Sequence, residues 1–206
     1  MRARTCVLVV SLLIMVLTGA KPMTENQSRL AEAAALLAQF RDKRDAEPYL
    51  LERSADALSA VDLDGESEAT RAPTERLVLQ AWLQLLHQID DAKAIGFDPT
   101  RVPPRHVSPP QEDGRVLLPG VAPEQIRDPS LRETYRQALE THRRDQIDFN
   151  RQINLKKTDD YVTPFVEDFL RGYARGRPEQ QVKEEIGNRV SFARTLALLK
   201  AISPSP

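Results

Sequence analysis

Cysteine is almost missing from this chain: of 206 residues one is Cys, at position 6. An internal disulfide is therefore excluded, and past position 6 so are a thiol nucleophile and a Cys-ligated zinc. Glycine is scarce as well, with eight residues, and they form no phosphate-cradling loop, no dinucleotide fingerprint and no nucleophile elbow. The three histidines, His87, His106 and His142, are each more than five residues from the next, and no H-E-x-x-H or Glu-x-x-His pairing occurs. A metal site would have to be assembled from distant segments, and solvated or core-edge histidine is the plainer reading. Aromatic residues make up 5% of the chain. No alternating apolar run is long enough to be a strand.

Charge of one sign is lacking too. The formal net charge is −1, and it becomes −3 if the first twenty residues, with Arg2 and Arg4, are removed. Residues 21–120 hold 12 basic and 17 acidic side chains, and residues 121–206 hold 15 and 13. Neither half carries the basic footprint that nucleic-acid binding requires, so no nucleic-acid partner is expected.

The first twenty residues carry an address. Arg2 and Arg4 precede an apolar run from Cys6 to Leu17, broken by Ser11, and Thr18, Gly19 and Ala20 follow. A basic start, a short apolar core and small residues at minus three and minus one define a secretory signal peptide, with cleavage expected after Ala20. The run is shorter than the ~20 residues of a spanning helix. Cys6 precedes the apolar core, whereas an acylated cysteine would follow it. The expectation is a secreted or periplasmic protein with no stable membrane anchor once the signal is cut.

The remaining 186 residues can bury a real core. Thr24 and Gln27 make a capping-box pattern at the head of a helix predicted over 24–44. Leu30, Ala33, Ala34, Leu37 and Phe40 recur in it at helical spacing. A second helix is predicted over 47–61, capped by Asp45, with Pro48 in its first turn. Residues 62–70 read as a loop. A third helix over 74–95 has the densest apolar block, around Trp82, Leu85, Leu86 and Ile89. It belongs at the centre of a bundle, ending at Gly96 with Phe97 folded back.

Seven prolines then fall between Asp98 and Pro123. That density excludes a helix, while Val116, Leu117 and Leu118 are apolar enough to dock on one. Asp128 and Pro129 are a strong start signal for a helix that could reach Asp160. Leu131, Tyr135, Ala138, Leu139, Phe149 and Ile153 form its stripe, but Glu140 to Gln146 offers nothing large and apolar. Thr163 and Pro164 are read as opening another short helix, anchored by Phe165, Phe169 and Tyr173. Pro178 opens a last one that buries Val182, Ile186, Val190, Phe192, Leu196 and Leu199. The fold class is all-α: a helical bundle of five to seven helices with a long proline-rich central connection. The organisation is a signal peptide over 1–20, an N-terminal helical half over 21–97, the connection over 98–127, and a C-terminal half over 128–206 containing one long helix.

Several patterns hint at chemistry. Asp62, Asp64, Gly65 and Glu66 have a calcium-loop flavour, but the EF-hand spacing is not met. Asp90–Asp91, Asp159–Asp160, Glu167–Asp168 and Glu184–Glu185 are paired carboxylates. Adjacent helical residues point about 100° apart, so such pairs do not converge unaided. Asn26-Gln27-Ser28 matches a glycosylation acceptor within a helical first turn. Arg143, Arg144, Arg151, Lys156 and Lys157 alternate with acids at three- and four-residue spacings, as on an ion-paired solvent face. No catalytic residue, cofactor-binding residue, metal ligand or cofactor is assigned.

The stretch from Pro119 to Tyr135, with Ile126, Arg127, Asp128, Pro129, Leu131, Arg132 and Tyr135, resembles a segment of uncharacterised secreted bacterial helical proteins. In those, a proline-rich lead runs into I-K/R-D-P-x-L-R-x-x-Y and a long polar helix. The resemblance spans ~50 residues organised by one helix start, and it implies no activity.

Two functional readings follow. The favoured one is a non-enzymatic protein that binds an unknown protein partner, self-associates, or supports an envelope assembly. It rests on the under-buried long helix and on a proline segment able to serve as a docking strip. The alternative is a hydrolase whose site is built from dispersed carboxylates and His87 or His142. A small-ligand carrier would need a cavity that the Leu-rich core does not advertise.

Overall fold

The computed structural model describes residues 23–42, 47–94, 102–187 and 189–203. The predicted signal peptide, the Asp45 cap and the Gly96–Phe97 helix stop lie outside the described residues. Among those described, six α-helices, one short 3-10 turn and no strand are present, so the all-α bundle holds.

α1 spans Glu25–Asp42. Its capping box is closed in both directions. The Gln27 amide donates to Thr24 Oγ1 at 3.2 Å, and the Thr24 amide donates to Gln27 Oε1 at 3.0 Å. α2 spans Pro48–Ser59, with proline where a free N–H would otherwise be wasted. Ala33, Ser54 and Ala55 are fully buried where the two helices meet, and Ser54 Oγ donates to the Ala33 carbonyl at 3.2 Å. Small side chains let the backbones approach, and the one buried hydroxyl among them is satisfied.

α3 spans Glu68–Ala94 and starts six residues before the expected Thr74, inside the expected loop. The Thr70 and Arg71 amides both bond the Ser67 carbonyl, at 3.0 and 2.9 Å, and the Ser67 and Thr70 hydroxyls bond at 2.7 Å. That nucleus sets the helix going ahead of Pro73. Pro73 and Ala69 are both exposed, so the carbonyl deprived of its N–H can be hydrated. Further along, Trp82, Leu85, Leu86 and Ile89 are buried as expected, and α3 packs against α1 and α2.

α4 spans Pro129–Ala174, 46 residues or roughly 69 Å. The expected break at Thr163–Pro164 does not occur. Leu155, Val162, Val166, Leu170 and Tyr173 continue one buried stripe past the proline, while Pro164 and Asp160, the residue whose carbonyl loses its N–H, are exposed. Burial on one face outweighs one lost bond on the other. The Trp82 and Phe165 rings stack across α3 and α4, 6.4 Å apart.

The expected last helix is two, α5 over Glu179–Gly187 and α6 over Phe192–Ile202. α6 restarts at Ser191, whose carbonyl takes the Thr195 amide at 2.8 Å. The restart turns the face: Val190, Thr195 and Leu198 go inward, while Phe192 is 79% exposed and Leu196 is exposed, against expectation.

The core is made by α1, α2, α3, α5, α6 and the second half of α4. Between Tyr135 and Leu155 no residue of α4 is fully buried, so the first half of the helix, 129–154, forms an arm beyond the bundle. The proline-rich connection lies along it as a folded strap, passing down the arm from His106 to Glu112, back up to Val121, and down again to the helix start. His106 lies beside His142, Tyr135 Oη donates to the Val121 carbonyl at 3.3 Å, and Arg132 Nε donates to the Ile126 carbonyl at 2.8 Å. Ile126 and Tyr135 are buried there, apart from the main core. Glu112 ties the strap to the helix start by accepting from the Arg127 amide at 2.9 Å and from the Asp128 amide. Asp113 and Gly114 turn the strap back at φ 49° and 70°. The expected docking of the 116–118 segment is corrected in part: Val116 and Leu118 stand 75% and 74% exposed.

Candidate functional site

The helix order brings together charges that lie far apart in the chain. Arg194 of α6 donates from Nε to Asp90 Oδ1 of α3 at 2.9 Å and from Nη1 to Asp159 Oδ1 of α4 at 2.7 Å. Nη1 also reaches Thr163 Oγ1 at 3.2 Å, and Lys93 bonds Asp159. The Arg194, Asp90 and Asp159 side chains are 10%, 19% and 15% exposed, so water screens them little. Burial pushes the Asp159 carboxyl up, but the hydrogen bonds and charges of Arg194 and Lys93 outweigh it and hold it below the ordinary value. Burial likewise opposes the Arg194 charge, and Asp159 and Asp90 more than restore it.

A cavity of about 630 Å³ opens beside this node, lined among others by Gln80, Gln84, His87, Asp90, Asp91 and Ser191. Asp90 Oδ2 is buried without a hydrogen-bond partner. His87 Nε2 lies 3.4 Å from Asp91 Oδ2 one turn along, both half-exposed. The cavity thus gathers an imidazole and two carboxylates, groups able to serve as general acid or base. Ser191, the hydroxyl at its edge, accepts from the Arg194 amide at 3.4 Å as the α6 cap. No hydrogen bond joins it to His87, so the nucleophile–base contact of a hydrolytic site is not formed here.

The paired carboxylates split as helix geometry dictates. Asp90 turns to Arg194 and Asp91 to His87, Asp159 to Arg194 and Asp160 to Lys156, Glu184 to Gln180 and Glu185 to Tyr173. Burial first, then the Glu185 bond, push the Tyr173 hydroxyl up to about 12. The Asp62–Glu66 turn is a solvated turn clasped by Asn26. Asn26 donates to the Asp62 carbonyl and to Glu66 Oε1, both at 2.7 Å, and accepts from the Asp62 amide at 3.0 Å. Thr70 and then Asn26 hydrogen bonds hold the Glu66 carboxyl below its ordinary value. The amide of the Asn26 sequon is therefore spent inside the fold.

On the arm, Glu140 pairs with both Arg143 and Arg144, and Arg136 with both Glu133 and Glu124 of the strap. Ile147 and Ile153 are exposed. Among the described residues no three His, Cys, Asp or Glu side chains gather into a metal-binding group, and no helix is long and apolar enough to cross a membrane. Sequence reasoning missed the Arg194 node and the strap's register, because both depend on contacts across the chain that no local pattern encodes. Comparison with family models, curated proteins and solved structures finds no match to this chain.

Proposed function

We propose that this chain is a secreted or periplasmic, non-enzymatic helical protein that works by contact with another protein, and that the arm with its strap is the contact element. The observation that carries the reading is the arm itself. Residues 129–154 extend roughly 39 Å, and past Tyr135 no side chain among them is fully buried. A helix of this length is held by packing more than by propensity, and the strap packs along it through Val121, Ile126 and His106. The arm carries five basic and four acidic residues, and the strap 102–128 three and four. A balanced, mixed surface with isolated apolar points at Val116, Leu118, Ile147 and Ile153 fits a protein face and gives a polyanion nothing to hold.

The test is a photo-crosslinking residue placed at Ile147, with the exposed Leu77 of α3 as the control, in the native envelope fraction. A discrete protein adduct from the arm alone is expected. Identical adducts from both positions, or none from the arm, would sink the proposal. The cavity beside His87, Asp90 and Asp91 favours the hydrolase as a second reading. Turnover of an ester, peptide or glycoside panel that disappears in His87→Ala would establish it instead.

A further inference from the structure

His106 and His142 are 36 positions apart, one in the strap and one on the arm, and no short-range metal motif includes either. The fold sets their rings 6.1 Å apart between centroids, tilted by 44°. His142 Nδ1 is buried and has no hydrogen-bond partner. A buried ring nitrogen left unpaired is uncommon, and a bound ion is one of the things that satisfies it.

The separation suits one. A metal–nitrogen bond of roughly 2.0–2.1 Å places the centroids of two imidazoles on one ion about 5.3 Å apart at a tetrahedral angle and about 6.5 Å when opposed. The observed spacing lies between these limits. Arg143, the cation next to His142 in the chain, is neutralised by Glu140, with Nε to Oε2 at 3.0 Å and Nη2 to Oε1 at 3.1 Å. Strap and arm are already registered by Tyr135, Arg132 and Glu112, so the pair is held without metal.

We infer that His106 and His142 form a two-imidazole site for a first-row divalent transition-metal ion of the zinc and copper class, which closes the strap onto the arm. Imidazole suits these ions and not calcium or magnesium. With two protein ligands, the other coordination positions fall to water or to a group brought by a partner. Metal binding adds a cross-link at the far end of the strap from the Glu112 tie, so it protects the strap as it binds.

The experiment is calorimetric titration of the mature chain with Zn2+ alone, beside limited proteolysis of the strap with and without Zn2+. One ion per chain is expected. His106→Gln and His142→Gln should each weaken binding at least tenfold and abolish the metal-dependent protection, while His87→Ala leaves both unchanged. His106 is exposed, so its substitution does not threaten the fold. Absence of saturable Zn2+ binding, loss on substitution of only one of the two histidines, or equal loss in His87→Ala would overturn the inference. None of these outcomes depends on the arm having a protein partner.

Discussion

Arg194→Met removes the guanidinium that bonds Asp90 and Asp159 at once. The methionine stem still fills the aliphatic part of the slot, so the loss is mainly charge. Asp159 retains Lys93. Asp90 does not fare as well: its Oδ2 is buried without a partner already, and the substitution strips Oδ1 too. Removing one member of a fully buried pair costs about 3–5 kcal/mol, because the other charge stays behind uncompensated. With carboxylates 15–19% exposed, some water reaches them, and the expected loss is about 2–4 kcal/mol. In a domain of this size that is a Tm decrease of roughly 4–16 °C. Thermal and urea unfolding of the purified chain would measure it. The Asp90→Asn change made on top of Arg194→Met should recover about 1 kcal/mol or more, since it neutralises the stranded acid. A loss below about 0.5 kcal/mol, the scatter of surface substitutions, would refute the burial argument. So would an Asp90→Asn change that adds to the damage.

The same node sets the acid limb of stability. Asp159 has a depressed folded-state pKa, so its contribution is full above the unfolded value of about 3.9 and is lost as pH falls through the lower folded value. Unfolding free energy should therefore drop below about pH 4, and less steeply in Asp159→Asn; a flat profile there would contradict the assignment. Trp82→Ala, which empties the stack on Phe165, should cost about 3–5 kcal/mol in chemical denaturation, and a loss below about 1 kcal/mol would show the ring is not a core anchor. Pro164→Ala should stabilise the chain by up to about 3 kcal/mol, because it restores an N–H on an exposed helix face and removes no buried contact. A destabilised variant would mean that the proline is needed to shape α4.

Local chemistry told much of the fold in advance. The Thr24–Gln27 box, Pro48 in a first turn, Asp128 capping ahead of Pro129, and the apolar block around Trp82 are each decided within a few residues, and each forms as the pattern says. Prolines misled in two places. Pro164 reads as a helix start, and the third helix is expected only from Thr74, just past Pro73, yet both prolines lie inside helices, because the cost of a missing N–H is small where solvent can satisfy the carbonyl and the opposite face is buried. The break between α5 and α6 was hidden by Val190 and Leu199, which fit the stripe of one unbroken helix as well as of two. The Arg194 node was not legible because its bonds to Asp90 and Asp159 span 104 and 35 residues. Charged residues at helical spacing look like a solvated face until another helix covers them. His106 and His142 fell under the same limit.

The central claim is that the first half of α4 is a contact element and not part of a self-contained core. Hydrogen exchange along that single helix tests it most directly. In the purified chain alone, amides of 137–154 should exchange faster than those of 155–173. On adding native envelope extract, or on raising the concentration of the chain itself, protection should rise in 137–154 and stay unchanged in the bundle. Uniform protection from Leu131 to Tyr173 in the isolated chain, unaltered by either addition, would contradict the account.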